Sequence, residues 1–245
     1  MIVSDKFYIG YRDIGRNLKI TNTAILNIFE DIAGMHAKKA GEDLKTSNTT
    51  WVLTGYKVNI NKRPEFEDRV LVYTWPTSMK NITASREFEI RNEKDEVLIM
   101  GLSNWAHIDL NTKKLFKVSQ ELINGYDIEN NKTNFGECKL KKLVEPENYL
   151  YEKEYEVDWN WIDANEHMNN IYYMELAQMV LTDEIRKNLD FISFEIMYKK
   201  EIKYKDKIRC FVGKDDNSYI VTFKNKDLSE IHAIIKLIYK KEEEK

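Results

Sequence analysis

The sequence has few cysteines and no strong excess of either charge. Its two cysteines, Cys138 and Cys210, cannot build a disulfide framework and have no CxxC spacing, which is typical of a protein in a reducing cytoplasm. The formal net charge is only −3 although 32 % of the residues are charged. A mixed-sign surface of this kind indicates no general attraction to nucleic acid or to an anionic membrane.

Long apolar runs are also missing. No stretch of about 18 uninterrupted apolar residues occurs, so stable membrane insertion is not expected. A secretory signal has a basic region followed by a long apolar run, and the segment IVSDKFYIG after Met1 has neither. These absences predict a soluble, cytoplasmic protein. The chain nevertheless has 42 % hydrophobic residues, enough for a substantial core in one large domain or two modest ones.

The order of predicted elements occurs twice along the chain. Apolar residues at spacings of three and four predict a helix from about residue 22 to Ala40, ended by Gly41, and strand-like runs follow it. A second helix with its own strands begins after residue 150, which indicates an α+β fold built by duplication. The predicted strands of the first half are 51–60, 69–75, 82–91 and 97–108; the second half has a helix over 169–187 and strands over 191–202, 208–212, 219–223 and 231–239.

Residues 163–173, DANEHMNNIYY, bring short polar side chains to the start of the second predicted helix. Asparagine is a good helix N-cap, and the free N–H groups of a helix start can stabilise a developing anion. An imidazole beside a carboxylate and an amide can serve in acid–base catalysis, but the same residues can simply form turn hydrogen bonds around a structural histidine. Both interpretations remain open from spacing alone. The first half has ITNTAIL at the equivalent place, without a histidine.

The segment resembles the active-site motif of the acyl-acyl carrier protein thioesterases, the plant-type fatty acyl thioesterases and their bacterial relatives. In that motif Asp-x-Asn-x-His is followed by x-Asn-Asn-x-x-Tyr, and Tyr173 fits the last position. A second motif, aromatic-basic-basic-Glu, is matched by residues 198–201, YKKE. The resemblance covers nearly the whole chain. It implies a tandem (double) hotdog fold, each half a long helix wrapped by an antiparallel sheet, with domains over 1–125 and 151–245 and a linker over 126–150.

The resemblance implies that Asp163, Asn165, His167 and Glu201 form the catalytic set. Many plant members have a cysteine after the glutamate, but this chain has Ile202, so a cysteine-bound acyl intermediate is excluded at that position. Direct attack by water is implied instead, with Glu201 or Asp163 as general base and with His167 and Asn165 positioning the water or the carbonyl. One observation opposes part of this: strict alternation along the predicted strand 191–202 makes Glu201 an ordinary solvated residue.

The resemblance also implies where substrate binds. The acyl chain would lie in the N-terminal domain against the helix bearing Ile28, Ile32 and Met35, although periodicity cannot separate a pocket wall from core. Asn169 and Asn170 complete the predicted substrate-binding set, since backbone N–H groups near them could stabilise the oxyanion. No cofactor is implied. No metal site is predicted either, because the remaining histidines and both cysteines lack metal-ligand spacing.

Lysines cluster near the second motif and suggest the partner. The predicted docking patch for an acidic acyl carrier protein comprises Lys199, Lys200, Lys203, Lys205 and Lys207, with a second group at Lys139, Lys141 and Lys142. An ordinary strand edge guarded by lysine is the alternative interpretation. Aromatic residues interleaved to stack bases are absent, so nucleic acid is not expected.

The predicted activity is hydrolysis of fatty acyl-acyl carrier protein to free fatty acid and carrier protein. Two alternatives are a hotdog thioesterase acting on acyl-CoA and a non-catalytic acyl-binding hotdog protein. The Asp163, Asn165 and His167 set disfavours the second alternative, since a binding module does not need it. Chain-length preference and association into a homodimer are left open.

Overall fold

The chain folds as two compact units. The structure, a computed structural model, describes residues 1–43, 46–136, 139–188 and 191–240. The first unit is Met1–Leu140 and the second is Lys141–Lys245. Residues 126–150, predicted as a linker, include this division, and Tyr126 at the start of that stretch is buried.

The first unit combines a long helix with an antiparallel sheet in the order β1-β3-β4-β5-β2. Its elements are β1 (Val3–Tyr8), α1 (Asn22–Lys39), β2 (Thr49–Ile60), β3 (Arg69–Lys80), β4 (Thr83–Arg91), β5 (Val97–Asp109) and α2 (Gln120–Tyr126). Thr21 Oγ1 caps α1 by accepting the N–H of Ala24 at 3.1 Å. After the helix ends, Gly41 continues the chain at a φ of +94°, a conformation that glycine adopts without strain.

The helix α1 packs through aromatic side chains against the sheet. Phe29 is fully buried and stacks on Phe88 of β4 with 4.4 Å between ring centroids. Gly101 of β5 permits this approach, because an added Cβ would lie only 2.4 Å from Cε2 of Phe29. A glycine inside this strand thus leaves room for an aromatic side chain of the helix.

The second unit repeats this plan with an antiparallel sheet in the order β7-β10-β9-β8-β6. Its elements are β6 (Tyr149–Glu156), a 3-10 turn (Trp159–Trp161), α3 (Asn170–Val180), α4 (Asp183–Asn188), β7 (Phe191–Tyr198), β8 (Lys207–Asp215), β9 (Ser218–Asn225) and β10 (Ile231–Tyr239). The predicted α+β fold is confirmed, and each unit adds a short second helix, α2 or α4, to its longer one.

Two predicted elements of the second unit are shorter than expected. The helix predicted over 169–187 is broken, because Leu181 has extended backbone angles (φ −62°, ψ 147°) and α4 starts only at Asp183. The strand predicted over 191–202 ends at Tyr198. Beyond it, the N–H groups of Lys199 and Lys200 both donate to the carbonyl oxygen of His232, so the regular ladder stops there.

The described helices include none that combines the length and apolar character needed to cross a membrane.

Candidate active site

Asp163 shapes the loop that precedes α3. Its Oδ1 accepts the backbone N–H of Asn165 at 2.8 Å and that of His167 at 3.3 Å. The N–H of Asp163 donates in return to the carbonyl oxygen of His167 at 2.9 Å. Glu166 takes a left-handed conformation, with φ at +66°, to close the turn. The carboxylate of Asp163 is therefore occupied in holding the loop, as aspartate commonly is in tight turns.

Asn169 caps α3 and accepts hydrogen bonds from two of the first N–H groups of that helix. Its Oδ1 accepts the N–H of Ile171 at 3.0 Å, and its carbonyl oxygen accepts that of Tyr172 at 3.0 Å. The prediction of an asparagine cap at this helix is confirmed. Asn170, the first residue of α3, accepts the hydroxyl hydrogen of Tyr198 on its carbonyl oxygen at 3.1 Å. This bond ties the helix start to the end of β7.

The structure brings His167 and Glu201 together. Nε2 of His167 lies 2.9 Å from Oε2 of Glu201, with the two side chains 25 % and 51 % exposed. Because a carboxylate oxygen accepts, the imidazole Nε2 donates in this contact. The second carboxylate oxygen, Oε1, has Nζ of Lys203 at 3.9 Å. The strand assumed in the alternation argument ends early, because β7 stops at Tyr198 and Glu201 lies in the loop beyond it, but Glu201 is exposed as that argument expected.

Ile202 anchors this loop beneath the site. Its side chain is fully buried, and its carbonyl oxygen accepts the N–H of Met168 at 2.8 Å. Met168 follows His167 directly, so this bond joins the two sequence motifs at their backbones. The sequence signal for this connection was the hydrophobic residue directly after Glu201. The family motif has a cysteine there in many plant members, so Ile202 was interpreted only as the loss of that cysteine.

Glu201 lies at the wall of an open depression of about 740 Å³ in the second unit. Of the predicted docking lysines over 199–207, all except Lys199 line the depression. Residues of the β9–β10 turn and of the adjoining strands also line it, and sequence reasoning missed them. Its lining comprises Lys200, Glu201, Lys203, Lys205, Asp206, Lys207, Asn225, Lys226, Asp227, Glu230 and His232. The lysines predicted at Lys139, Lys141 and Lys142 do not line it.

The predicted substrate-binding residues are divided between the units. On α1, Ile28 and Ile32 are buried and Met35 is 41 % exposed. Asn169 and Asn170 belong to the second unit, at the start of α3. The structure therefore groups the two asparagines with His167, and the three apolar residues with each other on one helix.

His36 and Cys210 are buried and have structural surroundings. Nδ1 of His36 accepts from Nη1 of Arg86 at 3.0 Å, and burial together with this cation lowers the His36 pKa to about 3. Burial raises the pKa of the Cys210 thiol, which disfavours the nucleophilic thiolate. Cys138 lies outside the described residues. Among those described, no three His, Cys, Asp or Glu side chains are grouped so as to hold a metal ion.

Solved structures share this fold over nearly their whole length. An acyl-ACP thioesterase from Bacteroides thetaiotaomicron aligns over 98 % of this chain and 98 % of its own, with a TM-score of 0.84 and 23 % identity. The 12:0-ACP thioesterase from Umbellularia californica aligns over 98 % and 97 %, with a TM-score of 0.84 and 19 % identity. These likenesses define a tandem hotdog protein, and the predicted fold is confirmed.

Family models identify the particular group of hotdog proteins. The Acyl-ACP thioesterase N-terminal domain matches residues 2–126, and the Acyl-ACP thioesterase C-terminal domain matches residues 144–241. The chain belongs to the acyl-ACP thioesterase family.

Curated plant proteins are similar over most of this chain. The oleoyl-acyl carrier protein thioesterase of Coriandrum sativum is 25 % identical over 82 % of this chain and 60 % of its own length. An acyl-[acyl-carrier-protein] hydrolase of Cuphea viscosissima is 23 % identical over 80 % of this chain and 51 % of its own length. The chain thus spans about half to three-fifths of the length of these two curated relatives.

Proposed function

We propose that this protein hydrolyses fatty acyl-acyl carrier protein to free fatty acid and carrier protein. The observation that supports it best is the 2.9 Å contact between His167 and Glu201. It joins the two motifs by which the sequence resembles its family, although they lie on different loops. A carboxylate paired with an imidazole at a helix start has the groups that water attack on a thioester requires.

Glu201 is the proposed general base. In this assignment, the Nε2–H of His167 holds Oε2 of Glu201, and the carboxylate takes a proton from the attacking water. Asp163 is the weaker candidate, because its Oδ1 already accepts two backbone N–H groups of its own loop. We therefore assign Asp163 and Asn165 to building the loop that presents His167. Asn165 contributes its Nδ2, which donates to Oδ2 of Asp163 at 3.3 Å.

The start of α3 is the proposed oxyanion site. The N–H groups of Ile171 and Tyr172 are engaged by Asn169, which leaves the N–H of Asn170 as the candidate donor. The positive end of the helix dipole favours the negative charge that develops on the thioester oxygen. In measured enzymes one such donor contributes roughly 3 kcal/mol to the transition state.

The acyl chain is proposed to bind along α1 of the first unit. Ile28 and Ile32 are buried apolar residues on that helix, and the flexible, partly exposed Met35 follows one turn later. Methionine adapts to ligands of varied shape because it is unbranched and polarisable. The substrate-binding assignment of these three residues stays a prediction, as do cytoplasmic location and homodimer formation.

A comparison of matched thioesters tests the activity. Purified protein is given acyl chains of several lengths on acyl carrier protein and on CoA, and kcat/KM is measured for each. Higher values for the carrier-protein esters are expected, because only these present a protein surface to dock. Equal or faster turnover of the CoA esters would assign the protein to the acyl-CoA alternative. Binding of acyl chains without hydrolysis of either ester would favour the non-catalytic alternative.

Two lysines of the depression are proposed to dock the carrier protein. Lys200 pairs with Glu230, and Lys207 lies 4.0 Å from Glu156. The side chains of Lys205 and Lys226 have no acidic partner within 4 Å in the described part of the chain, so their charges are available to an acidic partner.

Reversing both charges, Lys205→Glu with Lys226→Glu, is expected to raise KM for fatty acyl-acyl carrier protein about tenfold and leave kcat unchanged. The increase should shrink at high salt, because screening weakens long-range attraction. Steady-state kinetics at two ionic strengths measures both effects. Lys214→Glu is a control for charge reversal outside the depression, since this exposed lysine is on β8 near the end opposite Lys207. An unchanged KM in the double variant would exclude this docking site.

A further inference from the structure

The peptide that leads into Glu201 is clamped by one residue of a neighbouring strand. His232, on β10, accepts the N–H of Lys199 at 2.8 Å and that of Lys200 at 3.1 Å on its own carbonyl oxygen. Its side chain turns to the same peptide, because Nδ1 lies 3.3 Å from the carbonyl oxygen of Lys200. One residue therefore contacts both sides of Lys200.

We propose that His232 is a positioning residue that aims Glu201 at His167, an inference that rests on the proposed function. The carbonyl of Lys200 and the N–H of Glu201 belong to one planar peptide group. A hydrogen bond to the Lys200 carbonyl oxygen therefore restricts rotation of this peptide group. Because the peptide group leads into Glu201, the bond also limits where the Glu201 side chain can point. The Glu201 side chain is half exposed, so burial alone does not hold it.

The proton on His232 has a defined place in this arrangement. A carbonyl oxygen only accepts, so Nδ1 of His232 is the nitrogen that donates to Lys200. His232 as a whole residue is only 5 % exposed, which limits competition from water for this bond. Tyr173 supplies a second, longer bond to the same oxygen, with its hydroxyl at 3.4 Å. Two buried donors therefore converge on the carbonyl that precedes Glu201.

This geometry separates His232 from the other buried histidines. His107 also directs Nδ1 at a backbone carbonyl, that of Phe116 at 3.1 Å, and is equally buried. Phe116, however, adjoins none of the residues assigned to the site. His107 is thus a matched reference for the stability that such a bond contributes without any effect on Glu201.

The test compares His232→Ala with His232→Asn in the full chain, using fatty acyl-acyl carrier protein as substrate. The alanine variant is expected to lower kcat about tenfold with little change in KM, since small displacements of a catalytic group are costly. The asparagine variant should recover most of kcat, because its Nδ2 can donate near the position of Nδ1. In a Glu201→Gln background, His232→Ala should cause no further loss, because it acts through Glu201.

A spectroscopic measurement keeps the test independent of turnover. The ¹⁵N signals of the His167 imidazole should shift in His232→Ala and return toward wild type in His232→Asn, since they report the contact with Glu201. A shift without any wild-type thioesterase activity would support the positioning role and remove the proposed function. His107→Ala should leave both kcat and the His167 signals unchanged.

Three results would overturn the positioning role. One is an unaltered kcat in His232→Ala; another is an asparagine variant that is folded but as slow as the alanine variant. The third is an equal further loss in the Glu201→Gln background. If His232→Ala does not fold, Tyr173→Phe removes the second donor to the same oxygen. An unshifted His167 signal in the folded Tyr173→Phe variant, together with an additive kcat loss in the Glu201→Gln background, would then exclude the clamp.

Discussion

Replacing His167 by alanine is expected to lower kcat for fatty acyl-acyl carrier protein about a hundredfold or more, the size of loss that displacing a catalytic group can cause. The imidazole donates to Oε2 of Glu201 at 2.9 Å, so its removal frees the proposed base to leave its position. The loop should remain folded, because Asp163 binds the backbone N–H of His167 and not its side chain. Single-turnover kinetics and thermal unfolding of the same preparation measure the two effects separately.

His107→Ala is the control for this variant, since it removes a more deeply buried histidine from the first unit. It should lower the unfolding temperature more than His167→Ala does and affect kcat less. Wild-type turnover in His167→Ala would show that the imidazole is structural. The alternative in which the motif merely forms a turn would then be correct.

Much of the fold was predictable because its signals are local. The spacing of apolar residues located α1 to within one residue at its end, and the repeated order of helix and strands indicated the duplication before any comparison. The errors occurred where tertiary contacts override the pattern. Leu181 continues an apolar stripe but has extended angles, and the strand-like run after Tyr198 is diverted by hydrogen bonds to His232.

The sequence motifs named the residues of the candidate site, but the arrangement of those residues could not be predicted. Family resemblance named both His167 and Glu201 as catalytic, and these two side chains are in contact. Strand alternation instead predicted that Glu201 is an ordinary solvated residue. The end of β7 at Tyr198, set by pairing with β10, removes the assumed strand, while Glu201 is exposed as alternation expected and its catalytic role stays a prediction. His232 could not have been chosen from the sequence, because its contact with Lys200 depends on strand pairing and has no characteristic spacing.

The choice between the two carboxylates has the largest expected effect. Glu201→Gln is expected to lower kcat about a thousandfold, because an amide can still accept from Nε2 of His167 but cannot take a proton from water. Asp163→Asn should cost less than about tenfold, since an asparagine oxygen can still accept the N–H groups of Asn165 and His167. Steady-state kcat and KM for both variants, with unfolding temperatures, provide the comparison.

The two substitutions are chemically matched, as each replaces one carboxylate oxygen by an amide nitrogen. Both retain an acceptor, so a difference between them reports the need for a proton acceptor more than the loss of a hydrogen bond. If Asp163→Asn were the slower enzyme by a factor of about a hundred while remaining folded, Asp163 would be the base. Glu201 would then act by orienting His167, and the bond from His232 to Lys200 would support that orientation instead of proton transfer.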